Sequence, residues 1–263
     1  MNWISKSITT VLIISAVFIA ACNKGSDNFL YKGKMLPISF KGYNGTDKTL
    51  GIKIDTVTSP NQLPFGPYNF TDAYMVPEGK TSVRVTVTEM GSGEKVIERE
   101  LKIADGPASL NFVYMNGKLG EMPDKAPVEE GKIKMTYLLI PTITKYNEPV
   151  DIVFGKYYAT PKVFEELATV KNVKPYEFSP TVTLPTFSIA PTQYNGVNTT
   201  VSFLVYIYKA GTKDFYVNDQ GYTWHATLST LPKPATSIGS SKLYIISEAP
   251  VGSSMRFFKN LEQ

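Results

Sequence analysis

The chain of 263 residues contains one cysteine, Cys22, and one histidine, His225. A lone thiol cannot close an intramolecular disulfide, and one cysteine with one histidine cannot supply the usual zinc or copper ligand sets within a single chain. Charge of neither sign dominates: 27 Lys and Arg stand against 23 Asp and Glu, a surplus too small and too scattered to point to nucleic acid. Catalytic signatures are missing too. No G-x-S-x-G elbow accompanies His225, and neither glycine-rich phosphate cradle occurs. The acidic stretch DFYVNDQG at 214–221 lacks the spacing of an EF-hand loop and reads as a hairpin turn. These absences favour a protein that is not an enzyme and carries no metal or cofactor. A pair of hydrolytic carboxylates leaves no recognisable sequence spacing, so an envelope hydrolase stays open as the least favoured alternative.

What is present begins at the N-terminus. Lys6 precedes an uncharged run from Ser7 to Cys22 whose centre is Val11-Leu12-Ile13-Ile14 and Val17-Phe18-Ile19. That length suits a signal h-region better than a spanning helix, which needs about 20 apolar residues. The run ends in Ile19-Ala20-Ala21-Cys22, which resembles the lipobox of bacterial lipoproteins. The resemblance implies cleavage before Cys22, acylation of its thiol by chains such as palmitate, and a covalent lipid as membrane anchor. Asn23 after the cysteine implies, by the same resemblance, sorting to the outer membrane, with the cell surface favoured over the periplasmic face. Residues 1–21 are thus expected to be a signal peptide and 22–34 a polar lipidated tether.

Beyond the tether the sequence predicts an all-β protein. Hydrophobic residues make up 43%, with 16 Tyr and 14 Phe, broken by 18 Pro and 19 Gly, the composition of a sandwich or barrel. TSVRVTVTE at 81–89 alternates strictly around Val83, Val85 and Val87, and KVIERELKI returns after a Gly-Ser-Gly turn. MLPISFKG and LGIKID, separated by Asn44-Gly45, suggest a hairpin. Three prolines among Phe65, Tyr68, Phe70 and Tyr74 predict an irregular aromatic loop over residues 60–74, read as a lid over one end of the sandwich in preference to an exposed binding platform. GKLGEMPDKAPVEEG at 117–131 loses all periodicity and reads as a linker. The expected plan is two tandem antiparallel β-sandwiches, Ig-like or transthyretin-like, over 35–116 and 132–263.

In the second half, PKVFEELAT at 161–169 has helical spacing of Val163, Phe164 and Leu167. TVSFLVYIYKA at 200–210 is apolar on both faces and predicts a central strand, with YTWHATL at 222–228 returning beside it. Both halves share an order of strands, proline-rich excursion, T-x-V strand and closing strand, which suggests duplication.

Function is less legible. Trp224, Tyr222, Tyr157 and Tyr158 are the candidate ligand-binding aromatics, since flat amphipathic rings stack on sugars and anchor protein interfaces; a core role competes with that reading. His225 reads as structural. The sequence therefore points to a lipid-anchored envelope module that binds glycans or envelope proteins, or alternatively to a structural subunit of a surface fibre.

Overall fold

The computed structural model describes residues 34–263; the signal run, Cys22 and the tether up to Gly33 lie outside the described residues. The described chain is all-β and builds two sandwiches. In the first, β1 (Lys34–Asn44), β4 (Gly66–Val76), β7 (Ala108–Met115) and β8 (Lys118–Glu121) form one sheet in the order β4-β1-β7-β8. Its partner sheet has the order β3-β2-β5-β6, from β2 (Leu50–Ile54), β3 (Val57–Leu63), β5 (Ser82–Glu89) and β6 (Lys95–Lys102). Leu36, Ile38, Phe40, Leu110 and Phe112 from one sheet meet Leu50, Ile52, Val83, Val85 and Val87 from the other in a closed core. Full burial of each such side chain contributes about 1.5–3 kcal/mol.

The second sandwich repeats this topology. β9 (Lys132–Ile140), β12 (Val182–Pro185), β16 (Ser240–Glu248) and β17 (Phe257–Glu262) have the order β12-β9-β16-β17. β10 (Val150–Tyr158), β11 (Val163–Val173) and β15 (Val201–Lys209) have the order β11-β10-β15. A small hairpin of β13 (Thr192–Tyr194) and β14 (Val197–Thr199) projects between β12 and β15 in the sequence. In each half the first strand runs antiparallel to one neighbour and parallel to the other, β1 beside β7 and β9 beside β16. These two sheets are therefore mixed, while β3-β2-β5-β6 and β11-β10-β15 are antiparallel throughout, as expected. The shared strand order bears on the duplication legible in the sequence, and it differs in one place. The position of β6 has no strand in the second half.

Four sequence expectations change, each for a physical reason. MLPISFKG and LGIKID do not pair; β1 and β2 lie in opposite sheets, because the alternation of each marks a buried face without naming its partner. The aromatic stretch 60–74 forms strands, and Pro60 and Pro67 are tolerated because β3 and β4 are sheet edges where a missing N–H costs no ladder bond. PKVFEELAT is strand: β11 carries two register shifts against β10, and these bulges break the period of two and mimic helical spacing. Gly155 makes this possible, since a Cβ there would lie 2.5 Å from the Glu165 carbonyl and 2.5 Å from the Phe164 ring. YTWHATL does not return as a strand and is turn and coil.

The stretch 117–131 is less a linker than its composition predicts. Lys118–Glu121 pairs with β7, and Met122 is buried in a third cluster. That cluster joins the halves: Tyr43, Val113 and Met115 from the outer face of the β1/β7 sheet pack on Leu138, Ile140, Leu243 and Ile245 from the outer face of the β9/β16 sheet.

Candidate interaction site

The predicted aromatics are brought together only in part. Trp224 stacks on Phe215 at 4.7 Å and 6° and meets Tyr206 edge-on at 5.6 Å. Phe164 stacks on the other side of the group, 4.2 Å from Tyr206. These rings, with Tyr157 and Tyr208, cover the outer face of β10 and β15, which no further sheet among the described residues protects. The apolar second face of β15 thus reflects a cover of coil, not a central position. Trp224 Nε1 is buried without a hydrogen-bond partner among the described residues. Tyr222 packs against the second core. Tyr158 lies apart, its Oη donating to Glu165 Oε2 at 2.7 Å and its ring 4.5 Å from Tyr194; that bond to a carboxylate, with burial, pushes its pKa up to about 12. The four residues are therefore distributed over packing positions and do not line one cleft.

His225 is exposed and closes a turn. Its Nδ1 accepts from the Thr227 and Leu228 amides, both at 3.3 Å, while its carbonyl accepts from Ser229 N at 2.9 Å. Among the described residues no cluster of three or more His, Cys, Asp or Glu could hold a metal ion.

Three buried carboxylates are hydrogen-bonded by donors that fix loops. Glu248 accepts from the Ile143 and Thr144 amides, both at 2.7 Å, from Thr144 Oγ1 at 2.6 Å and from Tyr216 Oη at 2.8 Å. Asp151 holds the bulge at Asn172 and the turn at Gly211, each amide at 2.9 Å. Glu89 accepts from Tyr114 Oη at 3.0 Å, Lys48 Nζ at 3.1 Å and Ser92 Oγ at 3.0 Å. The Lys48 and Tyr114 bonds hold its pKa below the usual carboxylate value, and burial beside it pushes Tyr114 up to about 12. With lone pairs occupied by fixed donors, these acids are built as struts. Asp55 is similar: it accepts from Arg84 N at 2.9 Å and from Lys80 Nζ.

The feature that sequence reasoning missed lies in the first sandwich. One lateral side is closed by the β3–β4 connection, which passes from one sheet to the other and across which Ser59 Oγ and Asn61 Nδ2 donate to the Asp72 carboxylate, each at 2.5 Å. On the opposite side β6 and β8 are both edges without a further strand among the described residues, and a cleft of about 680 Å³ opens between them. Val96, Ile97, Leu110, Phe112, Leu119 and Met122 give it apolar walls, and Glu98, Arg99, Glu121 and Asp124 line it as charges. Leu119 is 51% exposed. Arg99 stands opposite Val85 in the β5/β6 register, so it shares the core-facing side of β6 with Ile97 and Leu101. An inward-pointing charge on a sheet edge is a known guard against unwanted pairing. The alternation of KVIERELKI already puts Arg99 on one side with Ile97 and Leu101; the structure adds that this is the core-facing side of an edge strand, where Arg99 stays exposed.

No protein-family model matches this chain, and no curated protein matches it. Among solved structures, it is similar to a leucine-rich repeat protein from Bacteroides thetaiotaomicron at 12% identity, covering 85% of this chain and 27% of that one, with a TM-score of 0.17. It is also similar to the tip fimbrial protein Mfa3 from Porphyromonas gingivalis at 9% identity, covering 86% of this chain and 98% of that one, with a TM-score of 0.20. At such scores the all-β class rests on the sheets themselves.

Proposed function

We propose that the protein is a lipid-anchored module of a bacterial outer membrane, held through Cys22, and that it acts in binding or assembly rather than catalysis. The anchor reading rests on Ile19-Ala20-Ala21-Cys22. The observation that carries the assembly reading is the open side of the first sandwich, where two edges unpaired among the described residues flank a cleft with apolar walls. An extended segment of an envelope protein lying there pairs with a free edge, and side chains on alternate positions bury against Ile97, Leu110 and Phe112. Where that segment belongs to a second copy of the chain, the protein becomes a subunit of a surface fibre.

Photo-crosslinking in intact cells tests this. A benzophenone side chain placed at Leu119 is expected to capture a discrete protein partner, and one at the exposed Val128 is not. Identical adducts from both positions, or none from either, would overturn the assembly reading. A Cys22→Ala protein that still partitions wholly with membranes would separately overturn the anchor.

A further inference from the structure

The second sandwich has its own gap, at the place where the first has β6. The outer edge of β15 is met by coil instead of a strand. Tyr216 N donates to the Ile207 carbonyl at 3.3 Å, Leu231 N to the Val205 carbonyl at 3.1 Å, and Val205 N donates to Thr230 Oγ1 at 2.9 Å. Lys209 N donates to the Asp214 carbonyl at 2.8 Å. Residues 205, 207 and 209 thus turn their backbone groups outward, and the alternation of a strand sends the N–H and C=O of Phe203 to the same edge.

There the cover stops. Beside Phe203 lies a cleft of about 400 Å³, lined by Ile189, Leu204, Lys233, Pro234 and Thr236 among others. Pro232 and Pro234 have no N–H and cannot close the edge themselves. Lys233 is withdrawn into this cleft. Its Nζ has one hydrogen bond, to Thr230 Oγ1 at 3.4 Å, and it has no carboxylate partner among the ion pairs of the described residues. Burial without a counter-ion pushes its pKa down. An ammonium held this way is a standing cost that an incoming anion relieves.

We infer that this edge is a docking site for the extended carboxy-terminus of a partner protein. The last residues pair with the Phe203 amide and carbonyl, the terminal carboxylate accepts from Lys233 Nζ, and a final apolar side chain lies against Ile189 and Leu204. Charge complementarity selects the anion, and the open edge selects extended peptide. Gln263 is engaged elsewhere, paired in both directions with Leu243 at 3.0 and 3.2 Å. The site is independent of the β6/β8 cleft and stands or falls separately from it.

The test uses an N-terminally fluorescein-labelled hexapeptide pool of alternating Val and Thr with two randomised final residues, once with a free carboxylate and once amidated. Fluorescence anisotropy against the mature protein is expected to show binding of the free-acid pool at least tenfold tighter than of the amidated one. Lys233→Met is expected to abolish that difference while folding at least as stably as the parent, and Lys233→Arg to retain part of it. The Phe203 amide should become protected from hydrogen exchange when the free-acid pool is added. Equal binding of the two pools, binding of neither, or an unchanged preference in Lys233→Met would overturn the inference. So would displacement of the peptides by acetate at the same concentration, which would mark a site for small anions only.

Discussion

Arg99 faces Val85 across the β5/β6 pair, on the side of the strand that belongs to the first core. A long cation on that face keeps the open edge hydrated and denies it to arbitrary strands. Arg99→Leu is therefore expected to gain up to about 1 kcal/mol in denaturant unfolding while losing specificity. Sedimentation velocity should show concentration-dependent oligomers of the variant where the parent shows fewer. A variant no more associated than the parent would remove Arg99 from this role.

Glu248 ties residues 143 and 144 to Tyr216 through four hydrogen bonds. Glu248→Ala strands two amides and a buried phenol, at about 1–3 kcal/mol for each unsatisfied group. A total loss of about 3–5 kcal/mol is expected in urea unfolding. Tyr216→Phe, which removes one donor and leaves three, should cost about 1 kcal/mol.

Gly42 sits in the central strand of its sheet, with Tyr68 and Phe112 as register neighbours on either side. A Cβ there would come within 1.7 Å of the Phe112 carbonyl oxygen and 2.6 Å of Tyr68 Oη, the two atoms that share a 2.7 Å hydrogen bond. Gly42→Ala must spread β1 from β7 and is expected to cost about 3 kcal/mol or more. Circular dichroism melts of Gly42→Ala and of Gly91→Ala check it. Gly91 has open space around its Cβ position, so only backbone strain in its turn is expected there.

Burial pushes Tyr43 and Tyr114 up to about 12, and the Glu165 bond does the same for Tyr158. For an acid whose folded pKa lies above its unfolded value, the fold favours the protonated form. The stability this supplies is fully present below the ordinary tyrosine pKa of about 10 and is lost as pH rises through the folded values. Alkaline unfolding is therefore expected between pH of about 10 and 12, with tyrosinate absorbance rising together with loss of sheet signal. Ionisation of all tyrosines without unfolding would contradict it. At the acid end the sign reverses. The lowered pKa of Glu89, set by Lys48 and Tyr114, gives stability above the usual carboxylate value that is lost as pH falls through the folded one.

Much of the fold was legible because strict alternation survives in the chain: Val83, Val85 and Val87 are a buried row in β5, as their spacing predicts. Legibility fails where geometry breaks the period. The bulges of β11 turn Val163, Phe164 and Leu167 into a false helix, and only Gly155, ten residues from its contact with Glu165, records the close approach that makes the bulges possible. Sheet membership was not written locally either, since β1 and β2 each alternate cleanly and still face each other across the core. Trp224 shows the same limit for the site. Its sequence context describes an amphipathic ring, but whether that ring meets solvent or Phe215 depends on the fold of residues 210–231. The Lys233 cleft was invisible because it consists of a missing strand.

The parallel pairs have a consequence in time. Ile38 must find Ala108 across 70 residues of chain, and Ile133 must find Ser240 across 107. Neither sandwich can close its first sheet until its last strands exist, so local hairpins such as β5/β6 form early and wait. Loop closure of that span is paid before the contacts reward it, which makes for slow folding. A chain emerging from its amino end thus carries β1 as an unpaired strand until β4 and then β7 arrive, and a second, longer interval follows before β9 is enclosed by β16.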